Sequence, residues 1–569
     1  MKKFLIGLAT GLVLAVVAAL LSLLAVARLA ESKPSVSGGS TLVLKLQGEI
    51  VEKPGMEIPL PFYEEQAPPT VYDIWSALDR ASNDPRIEAV LLMPRRPAAG
   101  WAKLQEIRDS LLRFRKSGKP VIAWLSAPGA RDYYLATAAD KIYMSREDYL
   151  DLKGLRIEAL FLKATLDKLG VQAEVEHAGR YKDAGDMLTR TSLSPESKEV
   201  LNSILDGVFG GLIQAIAESR RKEPAEVRAL LDRGPFLAEK AKAEGLVDEL
   251  WYEDQVAADL RGKLKQKELK RIGFRDYLKA TGAGEGKKRI ALLVGEGTIL
   301  RGEGDDPICA VSFNRLLRKV GDDPSIAAVI LRIDSPGGDG IASDEILREV
   351  RLLGKKKPLV ISMSDLAASG GYYIASSGDP ILAYPGTMTG SIGVIFGKLN
   401  LKGLYDKLGV QKEILTRGRF ADVDSDYKPL SPEGRAKLRE ALDQMYRSFL
   451  ARVAESRKRK VEEIEPLAQG RVWLGAQAKQ NGLVDELGGL DKAVEIAKMR
   501  AGIRKEEKTR IVIYPPKKSI FERLLSKPVE TSTEVRFVSE LRKVSPGFDL
   551  RLWAQGGLMR VMPYGIEVK

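Results

Sequence analysis

The chain repeats itself. Asn83-Asp84-Pro85-Arg86-Ile87-Glu88-Ala89-Val90-Leu91-Leu92 returns about 239 residues later as Asp322-Asp323-Pro324-Ser325-Ile326-Ala327-Ala328-Val329-Ile330-Leu331. Tyr133-Tyr134-Leu135-Ala136 returns as Tyr372-Tyr373-Ile374-Ala375, and Asp167-Lys168-Leu169-Gly170-Val171 as Asp406-Lys407-Leu408-Gly409-Val410. Further on, with two residues fewer between copies, Ser194-Pro195-Glu196 matches Ser431-Pro432-Glu433, and Gly245–Leu250 matches Gly482–Leu487. So many matches in one order establish an internal duplication. A chain of 569 residues is also too long for one core, so two copies of one domain is the arrangement the repeat imposes.

Within each copy, apolar runs alternate with amphipathic stretches. In the first they predict strands at 41–53, 89–93 and 120–125, with helices near 102–116 and from about 131. That rhythm is the rhythm of parallel strands joined by crossover helices, which makes the fold class α/β, with mostly parallel sheets and flanking helices. The first copy spans 40–262 and the second 289–503, with a charged, Gly-containing linker at 263–288. Residues 504–569 have no partner in the first copy.

Equivalent positions make differences informative. Ser369, in Asp365-Leu366-Ala367-Ala368-Ser369-Gly370-Gly371, corresponds to Ala130, while Lys182, in Gly179-Arg180-Tyr181-Lys182-Asp183, corresponds to Ala421 in Gly418-Arg419-Phe420-Ala421-Asp422. An isolated A-S-G-G is a common turn and an isolated lysine is usually solvated. Reciprocal loss of one functional side chain from each copy is the feature that singles them out. A serine hydroxyl becomes a nucleophile when a base takes its proton, and a lysine serves if burial keeps it neutral. His177 is the only histidine, and its counterpart is Thr416, so it reads as a polar residue at a strand end. Asp183 beside Lys182 would favour the charged amine if it pointed the same way, but strand alternation predicts that the two side chains diverge.

A second glycine-rich turn accompanies the serine. Ile330–Asp334 reads as a strand that breaks at Ser335-Pro336-Gly337-Gly338 before a helix, so backbone amides there can face an oxyanion. The first copy has Arg96-Pro97-Ala98-Ala99 in its place. A phosphate loop is the competing reading, but the Gly-Lys-Ser/Thr ending is missing.

Before the repeats, Met1-Lys2-Lys3 leads into Phe4–Val26, an uncharged stretch long enough to span a bilayer. Residues 1–30 are therefore expected to be an uncleaved single-pass anchor, with the lysines on the cytoplasmic side. The net charge of +13 comes from 90 basic residues scattered among 77 acidic ones, without a basic tract, which points away from nucleic acid. One cysteine, Cys309, rules out an intramolecular disulfide or a cysteine metal cluster, and a Ser/Lys dyad needs neither metal nor cofactor.

The anchor, the tandem copies, D-S-P-G-G, A-A-S-G-G-Y-Y, T-G-S-I-G-V at Thr389–Val394 and G-x-Y-K at Gly179–Lys182 together resemble the long form of the signal peptide peptidase A family, over about residues 40–500. These are bacterial membrane-bound serine proteases related to the ClpP/crotonase fold. The resemblance implies Ser369 as nucleophile, Lys182 as general base, Gly338 or Gly337 with Gly370 as oxyanion donors, and Ser391 as a hydroxyl orienting the lysine. It further implies hydrophobic peptide substrates such as leftover signal peptides, a homotetramer, and catalytic domains on the periplasmic side of the inner membrane. The alternatives are a catalytically silent membrane scaffold of the same fold and, more weakly, a crotonase-type acyl-CoA enzyme.

Overall fold

The computed structural model describes residues 34–53, 55, 67–282, 286–304, 308–516, 557–562 and 566–569, with scattered positions among the first eighteen. The first half contributes β1 (Ser40–Glu49), β2 (Ile87–Ala98), β3 (Val121–Leu125), β4 (Lys141–Met144), β5 (Gln172–Ala178), β6 (Glu249–Leu250) and β7 (Arg271–Gly273). All but β5 form one sheet in the order β6-β4-β3-β2-β1-β7, and every pairing is parallel. Parallel neighbours need crossovers, supplied here by α1 (Val71–Asn83), α2 (Trp101–Arg115) and α3 (Ala130–Ala136). Helices cover both faces, which is why β3 reads Val-Ile-Ala-Trp-Leu without a polar residue and is buried throughout. At the start of α1, Thr70 accepts the Asp73 amide at 3.0 Å while Asp73 accepts that of Thr70, and the helix buries Val71, Ile74, Leu78 and Ala81 at helical spacing.

The second half repeats this plan with β8 (Lys288–Glu296), β9 (Ile326–Ser335), β10 (Gly337–Asp339), β11 (Leu359–Ala368), β12 (Met388–Gly390), β13 (Val394–Asn400), β14 (Val472–Leu474), β15 (Thr509–Tyr514) and β16 (Gly557–Val561). Its main sheet runs β14-β12-β11-β9-β8-β15, with two short strands branching from β11. A third sheet joins the halves: β5 pairs antiparallel with β13, from Ala178 opposite Val394 to Gln172 opposite Asn400. The long helices α4 (Pro195–Arg220) and α8 (Pro432–Arg457) descend from the two Ser-Pro-Glu signatures. Each begins with the serine as N-cap and proline in the first turn, and each ends on a left-handed residue, Arg221 or Lys458.

Two stretches differ from the sequence reading. Within the 263–288 linker, residues 271–281 are packed structure: β7 adds a strand beside β1, and α5 (Phe274–Thr281) buries Phe274 and Tyr277, whose hydroxyl donates to Asp84 at 3.1 Å. Nor is everything after 504 without a counterpart. Thr41 and Ile290 occupy equivalent places, opposite Ala89 and Ala328, and their other neighbours are Arg271 on β7 and Ile511 on β15. Those edge strands are therefore copies of one another. Much of the predicted anchor, residues 1–30, lies outside the described residues; residues 10–15 are helical and exposed. The described helix long and apolar enough to cross a membrane is α4, but Val200, Leu201, Ile204, Val208 and Leu212 on it belong to the core.

Buried charge fastens the halves together. Arg332 on β9 is fully buried and donates to Glu52 at 2.8 and 3.0 Å, to Glu106 on α2 at 2.6 Å, and to the Ser362 hydroxyl at 2.9 Å. Lys103, also on α2, pairs with Asp334 at 2.8 Å. The N-terminus of α2 has no cap of its own; Asp365 supplies one from the other half, accepting the Gly100 and Lys103 amides at 2.7 and 2.9 Å. Removing one member of such a network strands the others in a dry interior. Arg332→Ala is accordingly expected to lower stability by about 3–5 kcal/mol, whereas Arg315→Ala, at an exposed pair with Glu303, should stay within about 0.5 kcal/mol. Urea denaturation of the two variants checks the contrast.

Candidate active site

Ser369 stands between β11 and α7 (Gly370–Ala375), with φ +54° and ψ −113°, a conformation that an L-residue holds only when its surroundings impose it. They do. Its amide donates to the Gly390 carbonyl at 2.8 Å, and the two following residues must be glycine: a Cβ on Gly370 would come within 2.7 Å of Ser343 Oγ, and one on Gly371 within 2.6 Å of the Ser335 carbonyl oxygen. The turn leaves the hydroxyl at a helix start, where amides have no intrahelical acceptor.

Lys182 arrives from the first half, just beyond β5, and is fully buried. Its Nζ lies 2.8 Å from Ser369 Oγ, 2.9 Å from Ser391 Oγ and 2.8 Å from the Ser391 carbonyl oxygen. The two residues that the copies lost reciprocally thus meet within a single chain. Burial drives the amine well below the ordinary lysine value; Asp183 offsets part of that fall and Arg560 adds to it. Lys182 and Asp183 lie in irregular backbone beyond β5, not in a strand as alternation suggested, yet they still diverge. Asp183 accepts the Ser197 hydroxyl at the start of α4, and burial pushes its own carboxyl up to about 6. Above that value Asp183 is ionised, and it offsets only part of the fall that burial imposes on the lysine.

The glycine pair is resolved into unequal partners. The Gly337 amide is already donated to Ser335 Oγ at 3.1 Å, so of the two Gly338 is the candidate oxyanion donor alongside Gly370. Gly337 (φ +94°) and Gly338 (φ +156°) take up conformations open to glycine, and a Cβ on Gly338 would run into the Ile299 backbone. In the first half the corresponding chain never leaves the sheet: β2 continues through Pro97 and Ala98, paired with Gly48 and Glu49. There Asp132, the counterpart of Gly371, accepts the Arg96 and Gly129 amides at 2.7 and 3.0 Å, so a carboxylate of the chain itself sits where the second half holds its glycine turn.

An amine whose burial favours its neutral form, set against a serine hydroxyl beside glycine amides, is equipped for acyl transfer. Comparison with known families agrees. The model of peptidase family S49 matches residues 113–267 and 351–504, the first segment holding Lys182 and the second Ser369. The chain belongs to peptidase family S49. It is similar to the chloroplastic serine protease SPPA of Arabidopsis thaliana (35% identical over 84% of this chain and 71% of the relative). It is also similar to Protease 4 of Salmonella typhi (33% identical, 81% and 78% covered) and of Haemophilus influenzae (32% identical, 77% and 74% covered). As an S49 member with two family domains it is a serine peptidase of the long, tandem-domain kind.

Sequence reasoning overlooked Gly470, where a Cβ would come within 2.6 Å of the Lys182 backbone, and Arg560, whose charge bears on the lysine. Gly470 follows Gln469 in an ordinary-looking Gly-Arg-Val-Trp-Leu stretch, and Arg560 lies almost 200 residues from Ser369 in sequence, so local pattern carried no trace of either. His177 is exposed on β5, its ring nitrogen 3.0 Å from the Gly179 carbonyl oxygen, apart from the dyad.

The buried amine has a thermodynamic signature. Because folding depresses the Lys182 value, the unfolded chain binds more protons at pH values up to the ordinary lysine value, and stability from this group rises with pH across that window. Replacing the amine by an apolar chain of similar length removes the effect. Lys182→Met should be more stable than wild type at pH 7, with the advantage shrinking by up to about 1.4 kcal/mol per pH unit toward pH 10. Urea midpoints of both proteins between pH 7 and 10 test this.

Proposed function

We propose that Ser369 is the nucleophile and Lys182 the general base of a Ser/Lys endopeptidase. The observation that carries this reading is the 2.8 Å approach of Lys182 Nζ to Ser369 Oγ in a site where both are fully buried. Lys182 takes the hydroxyl proton as Ser369 Oγ adds to the peptide carbonyl carbon, and the Gly338 and Gly370 amides receive the oxyanion. The protonated lysine then gives its proton to the leaving nitrogen, and water, deprotonated by the same amine, releases the acyl group. Ser391 holds Nζ through its hydroxyl and its carbonyl, aiming the amine at Ser369.

The substrates in this reading are hydrophobic peptides, including remnant signal peptides. Residues 1–30 anchor the enzyme in the bacterial inner membrane with the catalytic halves outside the cytoplasm, and four chains assemble into a ring. The exposed apolar residues Leu12, Val13 and Leu14 are compatible with a lipid environment. The family relatives named as proteases support the peptidase step itself.

Ser369→Ala should abolish turnover and the covalent mass that a fluorophosphonate adds to the wild-type chain. Lys182→Ala should lower kcat/KM by about 10²–10⁴, while His177→Ala stays near wild type. Activity should rise with pH, with a midpoint below the ordinary lysine range, because only the neutral amine accepts a proton. A Lys182→Ala variant within tenfold of wild type would remove the dyad, and a wild-type chain with neither turnover nor a Ser369-dependent label would favour the scaffold reading.

A further inference from the structure

Residues 557–562 lie in the catalytic cleft. β16 is inserted between β10, the strand of the glycine turn, and β13, and pairs antiparallel with both: Gly338 faces Arg560, and Ile395 faces Met559. Met562 N donates to the Pro336 carbonyl at 2.8 Å, and since bonded pairs alternate along an antiparallel ladder, Gly338 N–H faces the Arg560 carbonyl. That oxygen lies between the glycine turn and Gly370, for a Cβ on Gly337 would strike it and one on Gly370 would come within 3.1 Å. This is where a peptide about to be cut must place its carbonyl.

The side chains fit the same reading. The Arg560 guanidinium lies 3.7 Å from the centre of the Tyr373 ring and 5.3 Å from that of Phe449, and donates to the Gly340 carbonyl at 2.8 Å. Tyr373 in turn donates to Asp344 at 2.6 Å. A planar cation stacked on an aromatic face, with a carbonyl at its edge, suits arginine better than lysine or an apolar side chain. Met559 and Val561, on either side of Arg560, point instead into a cluster with Leu300 and Ile395. The tail is also fastened at its far end to the first half: Val568 accepts the Trp101 indole N–H at 3.1 Å, and Lys569 and Arg156 exchange backbone bonds at 2.9 Å. In the first half the counterpart of the glycine turn remains in its sheet and offers no ladder to such a strand.

We propose that this segment is an intramolecular substrate, that Arg560–Val561 is the bond presented to Ser369, and that the pocket under Arg560 selects arginine before the scissile bond, with apolar residues flanking it. The proposal rests on the Ser369–Lys182 reading above. Ser369 Oγ adds to the Arg560 carbonyl carbon while Lys182 takes its proton. The bond to the Val561 nitrogen breaks as that nitrogen receives the proton, and water then frees the Arg560 carboxylate from Ser369. Until that happens the strand blocks the cleft. A cation in the pocket also favours the neutral form of Lys182, so an arginine substrate supports the base that cuts it.

The test uses the full-length chain in detergent at pH 9, with intact-mass readout, alongside the synthetic peptide Gln-Gly-Gly-Leu-Met-Arg-Val-Met-Pro-Tyr-Gly-Ile and versions with Leu or Glu in place of Arg. The expected result is loss of Val561–Lys569 from wild type but not from Ser369→Ala, cleavage of the peptide between Arg and Val, and at least tenfold slower turnover of the Leu and Glu peptides. Ser369-dependent turnover of other peptides with the chain left intact and no preference for arginine would overturn the proposal and leave the dyad standing. Cleavage at a neighbouring bond would overturn the register. Absence of any Ser369-dependent turnover would overturn the dyad, and this proposal with it.

Discussion

The approach of Lys182 to Ser369 depends on the two halves being held in one relative position, and buried charge holds them. Arg332 reaches across to Glu52 and Glu106 in the interior, and Lys103 reaches back to Asp334. Apolar contact alone tolerates sliding, because it is non-directional. A guanidinium shared between two carboxylates has little such freedom: displacing it by an ångström leaves charged groups unpaired where water is absent. The third sheet adds direction through the β5–β13 ladder, which ends beside the lysine. A hydrogen bond of 2.8 Å between residues 187 positions apart is the outcome of both.

Burial also explains why the Lys182 amine is held well below the ordinary lysine value. Its surroundings exclude water, and its acidic neighbour is turned away toward Ser197 and is itself held up to about 6. What remains around Nζ is two serine hydroxyls and a carbonyl, groups that position an amine without paying for its charge. Ser369 and Ser391 both adopt positive φ, so the two residues whose hydroxyls meet the Lys182 amine share the strain of the site.

Much of this was legible in the sequence because the duplication acts as an internal control. Ala130 opposite Ser369 and Ala421 opposite Lys182 pointed to the pair before any geometry, and the alternation of apolar runs gave the parallel sheets. What escaped it depended on distant partners. The equivalence of β7 and β15 is too short to read as a repeat and appears only in the neighbours of β1 and β8. Gly338 prevails over Gly337 because of the Ser335 hydroxyl, and Asp183 turns because of Ser197. Arg560 lies in a stretch whose meaning comes wholly from the strands on either side of it.

The cap that Asp365 places on α2 has a consequence for the order of events in synthesis. A ribosome delivers the first half with the α2 amides at Gly100 and Lys103 still waiting for their acceptor, and with Lys182 but without Ser369. The acceptor and the serine arrive together, four residues apart on the nascent chain. The step that completes the helix is therefore also the step that brings Lys182 and Ser369 together, so under the proposed dyad a half-made chain has no peptidase with which to injure its neighbours.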